Sequence, residues 1–137
     1  LGTDGASSNN KLDMFAEMRL AALIHKAVSY DPKAIEAGEA LDMATREGAK
    51  CLGYDDLGEL REGWLADIIL IDRSGFNWKP DFNDVSIAVY AANSRDVDTV
   101  IINGKPVMIN KELLTIDTER LDYEVNRVVK ELYGDLN

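Results

Sequence analysis

The sequence predicts an α/β chain in which helices come first and short strands follow. Three observations predict it. Apolar residues recur at helical spacing from Leu12 to the glycine stop at Gly53. Runs rich in Val and Ile, separated by turn residues, fill the stretch from Ile68 to Asn110. A last amphipathic stripe, Leu121, Val125, Val128, Val129 and Leu132, runs up to Gly134.

Taken in order, "TDGASSNN" (3–10) is loop chemistry, with Gly, Ser and Asn suited to turns and caps. Asn10 is the expected N-cap of the first helix, with Asp13 three residues later in a box-like arrangement. That helix is expected to reach about Ala27, carrying Leu12, Phe15, Met18, Leu20, Leu23 and Ile24. Its "LAALI" run is apolar nearly all round, which predicts burial on more than one side. Asp31 followed by Pro32 signals a second helix start, with Ile35, Leu41 and Met43 as its apolar contribution. Thr45 can cap a short further helix that Gly53 ends. Strands are expected at Ile68–Ile71, in "VSIAVYAA" (85–92) and in "DTVIINGKPVMIN" (98–110), where Asn103-Gly104 is a hairpin signal. A helix from about Glu119 to Tyr133 closes the chain. The change of character near residues 53–58 divides it into 1–55 and 56–137.

The 137 residues suit one domain, and 46% hydrophobic with 29% charged residues is ordinary globular material. The net charge of −10 argues against nucleic acid and anionic membrane surfaces, which attract basic proteins. Residues 1–50 carry −2 and residues 51–137 carry −8; the acidic second half reads as a solvated surface. A single cysteine, Cys51, allows no intrachain disulfide and suits a reducing, cytoplasmic setting. No signal peptide is evident, and no apolar run approaches the roughly 18–20 residues that cross a bilayer. The first residue is Leu1, which leads to the expectation that residues were removed upstream or that the chain is a piece of something longer.

Asp4 is the candidate for chemistry. It lies between an apolar-Gly-Thr lead and a Gly-Ala-Ser-Ser-Asn-Asn loop that runs into a helix. A carboxylate at the carboxyl end of a strand, in a loop leading to a helix, is where α/β barrels place catalytic groups. Such a group can ligate a metal, act as a general base, or do both. It can also do no more than cap a turn.

The segment "GTDGASSNNKLDMFAEMRLAALIHK" resembles the eighth-strand region of the amidohydrolase superfamily, in the branch of methylthioadenosine/S-adenosylhomocysteine deaminases and triazine chlorohydrolases. The residues that carry it are Gly2, Thr3, Asp4, Gly5, Ala6, Ser7, Ser8, Asn9, Asn10, Leu12, Asp13, Met14, Glu17, Met18 and Arg19. It continues in "ATREGAKCLG" (44–53), "LGELREGWLADIILID" (57–72) and "DVDTVIINGKPVM" (96–108). The sequence departs from the branch pattern at Trp64-Leu65, Ser94 and Trp78. The resemblance implies the C-terminal part of a metal-dependent (β/α)8 barrel in residues 1–55: its last strand and helices. Residues 56–137 would form short strands of a small β-sandwich and a C-terminal helix. It implies that Asp4 is both metal ligand and proton carrier for the attacking water. The implied reaction is hydrolytic deamination of a purine nucleoside of the methylthioadenosine or S-adenosylhomocysteine type. Triazine- or guanine-like rings are the alternative. The small-molecule substrate and a divalent metal, zinc first and iron second, belong to the parent enzyme.

Such a site takes further histidines, and the chain has one, His25, well inside the first helix. At about 1.5 Å rise per residue it is several turns from the loop, so it reads as a helix-face residue. Cys51 reads as a small packed side chain. The isolated chain is therefore expected to hold no cofactor and to be inactive: the C-terminal third of an enzyme. Two other readings are a half-enzyme completed by a histidine-bearing chain, and a non-catalytic scaffold or binding module derived from the barrel. The first helix, left without a sheet to cover, would forgo roughly 12 kcal/mol if about 500 Å² of apolar surface stayed wet at ~25 cal/mol/Å². Self-association through exposed apolar helix faces, or a different packing of the early helices, is expected.

Overall fold

A computed structural model describes residues 1–134. Three helices open the chain: α1 (Met14–Ser29), α2 (Ala37–Ala44) and α3 (Arg46–Cys51). Strand β1 (Ile68–Ile71) follows, then α4 (Asp84–Tyr90), β2 (Val97–Ile102), β3 (Lys105–Ile109), β4 (Glu112–Leu113) and α5 (Thr118–Tyr133). Short 3₁₀ turns at Phe76–Trp78 and Ser94–Asp96 bracket α4. The four strands form one antiparallel sheet in the order β1-β2-β3-β4.

The N-cap of α1 is Asp13, not the expected Asn10. Its Oδ1 accepts from the Phe15 and Ala16 amides at 3.0 and 3.3 Å. A cap must present its oxygen to the second and third helical amides, and Asp13 stands where the chain enters the helix. Phe15, Met18, Ala21 and Ala22 turn inward, whereas Leu20, Leu23 and Ile24 stay exposed. The "LAALI" run is thus one-sided within this chain: its alanines allow close packing and its larger residues face out. The Asp31-Pro32 signal yields only a turn, and α2 begins at Ala37 after Glu36. Ile35 is nevertheless buried. Leu1–Asp4 forms no strand among the described residues, since no other strand lies alongside to pair with it.

The stretch 85–92, expected as a strand, belongs largely to helix α4. The Asn83 side chain accepts from the Ser86 amide at 2.9 Å and starts the helix, and Val89 and Ala92 are then fully buried. Cap and tertiary burial override the β-propensity of a Val/Ile run. Helices α1, α2 and α4 pack against one another. Their shared core contains Phe15, Met18, Ala22, Ile35, Ala40, Val89 and Ala92, with Trp78 at 2% exposure. Trp78 Nε1 donates to Asp96 Oδ2 at 3.1 Å, which also accepts from Asn77 Nδ2 at 2.8 Å and the Asn93 amide at 3.1 Å. That one carboxylate joins the two 3₁₀ turns. Ile71 and Val97 connect the sheet to the helical core.

The Asn103-Gly104 turn joins β2 to β3 as expected, with both residues at positive φ. Asp67 reinforces it by accepting from the Asn103 amide at 2.7 Å. Helix α5 is capped at its start by Asp117, whose carboxylate accepts from the Arg120 amide, and at its end by Gly134. None of its residues is buried.

Candidate active-site carboxylate

The residues around Asp4 build a small self-bonded turn. Ser8 and Asn9 donate their amides to the Gly5 carbonyl, both at 3.0 Å. Asp4 has φ 59°, a left-handed conformation that Asp tolerates better than most non-glycine residues. Its Oδ1 accepts from the Gly5 amide at 2.7 Å and its Oδ2 from Ser8 Oγ at 2.9 Å. The Gly5 amide first, and the Ser8 hydroxyl second, hold the carboxyl below its ordinary pKa. Each carboxylate oxygen offers two lone pairs, so one remains on each after these bonds. An ionised, exposed oxygen donor of this kind suits a divalent zinc or iron ion as one ligand.

The turn is tied to α1 by Asn9. Its Nδ2 donates to the Thr3 carbonyl at 3.0 Å and to Glu17 Oε1 at 2.9 Å. Its Oδ1 accepts from the Lys11 amide at 2.9 Å. Thr3, Asn9 and Glu17 are half-buried, whereas Asp4 is exposed.

A second carboxylate nine positions on has the opposite surroundings. Asp13 is 4% exposed, caps α1 and accepts from Ser94 Oγ at 3.2 Å. Burial pushes its carboxyl up, but bonds from the Ala16 amide, the Ser94 hydroxyl and the Phe15 amide, with the charge of Lys11, bring it below the ordinary value. The Asp13–Ser94 contact joins positions 81 residues apart, and sequence spacing gives no signal for it.

His25 lies on the exposed side of α1 and joins no site. Cys51 is exposed at the end of α3, not packed as expected, because α3 stops there and Ala49 takes the inward position. Among the described residues no group of three or more His, Cys, Asp or Glu side chains is placed to hold a metal ion. A cavity of about 680 Å³ is lined by Leu1, Met14, Ala49, Leu52, Leu57 and Ile68 among others, and a smaller one by Lys26, Glu36, Asn83 and Tyr90; Asp4 lines neither. Among the described residues no helix is long and apolar enough to cross a membrane.

The sequence pattern of the amidohydrolase family matches residues 1–107, a span that includes the Asp4 turn. The chain is 54% identical over 131 residues to a 5-methylthioadenosine/S-adenosylhomocysteine deaminase of Acetivibrio thermocellus, covering 95% of this chain and 30% of that protein. A protein of the same name from Dictyoglomus thermophilum is 47% identical, covering 96% of this chain and 31% of the relative. This chain thus spans about 30% of the length of these relatives. Among solved structures, a zinc-bound adenosine deaminase from Xanthomonas campestris superposes with a TM-score of 0.91 at 39% identity, over 95% of this chain and 30% of that one. A zinc complex of atrazine chlorohydrolase from Arthrobacter aurescens does so with a TM-score of 0.82 at 31% identity, over 91% of this chain and 28% of that one.

Proposed function

This chain belongs to the amidohydrolase family, and on that premise we propose that it supplies Asp4 to a hydrolase that deaminates a purine nucleoside. The substrate would be of the methylthioadenosine or S-adenosylhomocysteine type, by its 54% identity to a deaminase named for them. The observation that carries the chemistry is the Asp4 turn: an exposed carboxylate, held ionised by Gly5 and Ser8, inside the family-matched segment.

Asp4 would be one ligand of a divalent ion, zinc by analogy with the zinc-bound neighbours, with the other ligands from residues this chain does not contain. Bound there, the ion would lower the pKa of a water from 15.7 to about 7 and so make hydroxide available. Asp4 would accept the proton given up as the water oxygen attacks the amino-bearing ring carbon. It would return that proton to the amine, which leaves as ammonia while the ring carbon keeps the oxygen. The Gly5 amide and Ser8 hydroxyl stabilise the charged form, which favours return of the proton to the amine and keeps the carboxylate ionised between turnovers.

Residues 1–55 we read as the end of a (β/α)8 barrel and 56–137 as sandwich strands and terminal helix, with α4 returned to the helical layer. The isolated 137-residue chain would be inactive, would associate with itself through the outward face of α1, and would belong to a cytoplasmic enzyme. On that face Leu20, Leu23, Ile24 and Val28 are all at least half exposed. Size-exclusion chromatography with light scattering tests the association; a monomer at every concentration rejects it. A triazine-type aminohydrolase or chlorohydrolase is the second reading, favoured by the 0.82 superposition on atrazine chlorohydrolase. The deciding experiment expresses the complete reading frame that encodes this chain. Ammonia release from methylthioadenosine is expected; turnover confined to triazines, with ammonia or chloride as product, selects the second reading. No turnover of either class rejects both.

A further inference from the structure

We propose that Glu17 is a positioning residue for Asp4 and acts through the side chain of Asn9; this rests on the reading of Asp4 as the catalytic carboxylate. An Asn side chain offers two N–H donors and one carbonyl. Asn9 uses all of its polar atoms: Nδ2 donates to Thr3 O at 3.0 Å and Glu17 Oε1 at 2.9 Å, and Oδ1 accepts from the Lys11 amide at 2.9 Å. The Thr3 carbonyl belongs to the peptide plane that ends in the Asp4 nitrogen. Pinning that plane fixes the reference from which the Asp4 φ of 59° turns its side chain. A left-handed conformation at a non-glycine residue persists only where its surroundings hold it.

Glu17 sits in the first turn of α1, whose cap is Asp13 and whose inward face is packed. It is therefore a fixed post, and Asn9 is the strut between it and an otherwise exposed loop. Without Glu17, one Asn9 N–H loses its acceptor, and the amide can turn away from Thr3. The Asp4 carboxylate then loses its direction while keeping its own bonds to Gly5 and Ser8.

The test uses the full-length enzyme and the variants Asn9→Ala, Glu17→Ala, Glu17→Gln and the Asn9→Ala/Glu17→Ala pair. Two readouts are taken: steady-state kinetics of ammonia release, and amide hydrogen exchange across residues 3–9. Each alanine variant is expected to lower kcat by about a hundredfold, the cost of misplacing a reacting group by about 1 Å, with KM little changed. The pair should be no worse than either single change. Glu17→Gln keeps an acceptor oxygen and should restore most of kcat. Exchange should quicken in all three alanine variants to a similar degree. Unchanged kcat, or losses that multiply in the pair, overturn the proposal. If the wild-type protein releases no ammonia, the functional reading fails, and exchange alone decides the strut. Equal quickening in singles and pair supports it; unchanged exchange overturns it.

Discussion

Two aspartates lie nine positions apart in one short stretch, and the chain treats them in opposite ways. Asp4 is exposed, in a strained left-handed turn, with local donors on both oxygens. Asp13 is buried, in an extended cap conformation, bonded to the start of α1 and to Ser94 far along the chain. Both are held ionised, by donors of different reach. The Asp4 bonds come from Gly5 and Ser8 and leave it accessible. The Asp13 bonds close a corner of the fold. Similar electrostatics thus accompany an accessible carboxylate in one place, as the proposed chemistry requires, and a fastener in the other, and burial makes the difference.

The sharpest way to break this contrast is Asp4→Asn in the full-length enzyme. An amide cannot carry the proton, so ammonia release should fall by about 10²–10⁴-fold, with thermal stability within ~0.5 kcal/mol of the parent. A comparable loss of stability would make Asp4 a fastener too. Next in size is Asp13→Ala, which should cost about 1–2 kcal/mol in thermal or urea unfolding. Activity per folded molecule should change little at a temperature where the variant stays folded. Ser94→Ala removes only the distant partner and should cost about 1 kcal/mol by the same measurement; no change would confine Asp13 to its capping role.

The smallest effect is in pH. The folded pKa of Asp13 is depressed below its ordinary 3.8. Its ionisation therefore contributes stability that is fully present above that value and is lost as pH falls through the lower folded one. Asp13→Asn keeps a good cap without the titration. Urea unfolding from pH 5 downward should show the wild type losing stability more steeply than this variant. Parallel curves would mean that the buried carboxylate is not what acid attacks at this corner.

Much of the architecture is legible in the residues themselves. The β1 run Ile68–Ile71, the Asn103-Gly104 hairpin and the terminal helix with its Gly134 stop are written in local chemistry, and the structure places each as read. The α4 stretch is a helix although "VSIAVY" has strand propensity on every residue but Ser86 and Ala88, because its burial depends on α1 and α2, which only the fold brings near. The cap falls on Asp13 and not Asn10 because both residue types cap equally well and only the fold sets where the turn ends. Asp4 stands out through its neighbours in sequence. The contacts of Asn9, Glu17 and Ser94 do not, because they span several residues or most of the chain.

The setting of Trp78 gives the molecule a built-in optical gauge. Its indole is enclosed by the helical core and bonded through Nε1 to Asp96, whereas Trp64 lies partly in solvent with the Arg61 guanidinium 4.5 Å from its ring centre. When the corner between the helices and the sheet opens, the fluorescence of the first should shift toward longer wavelength while the second stays nearly constant. Emission colour therefore reads the opening of this corner directly, with no label attached.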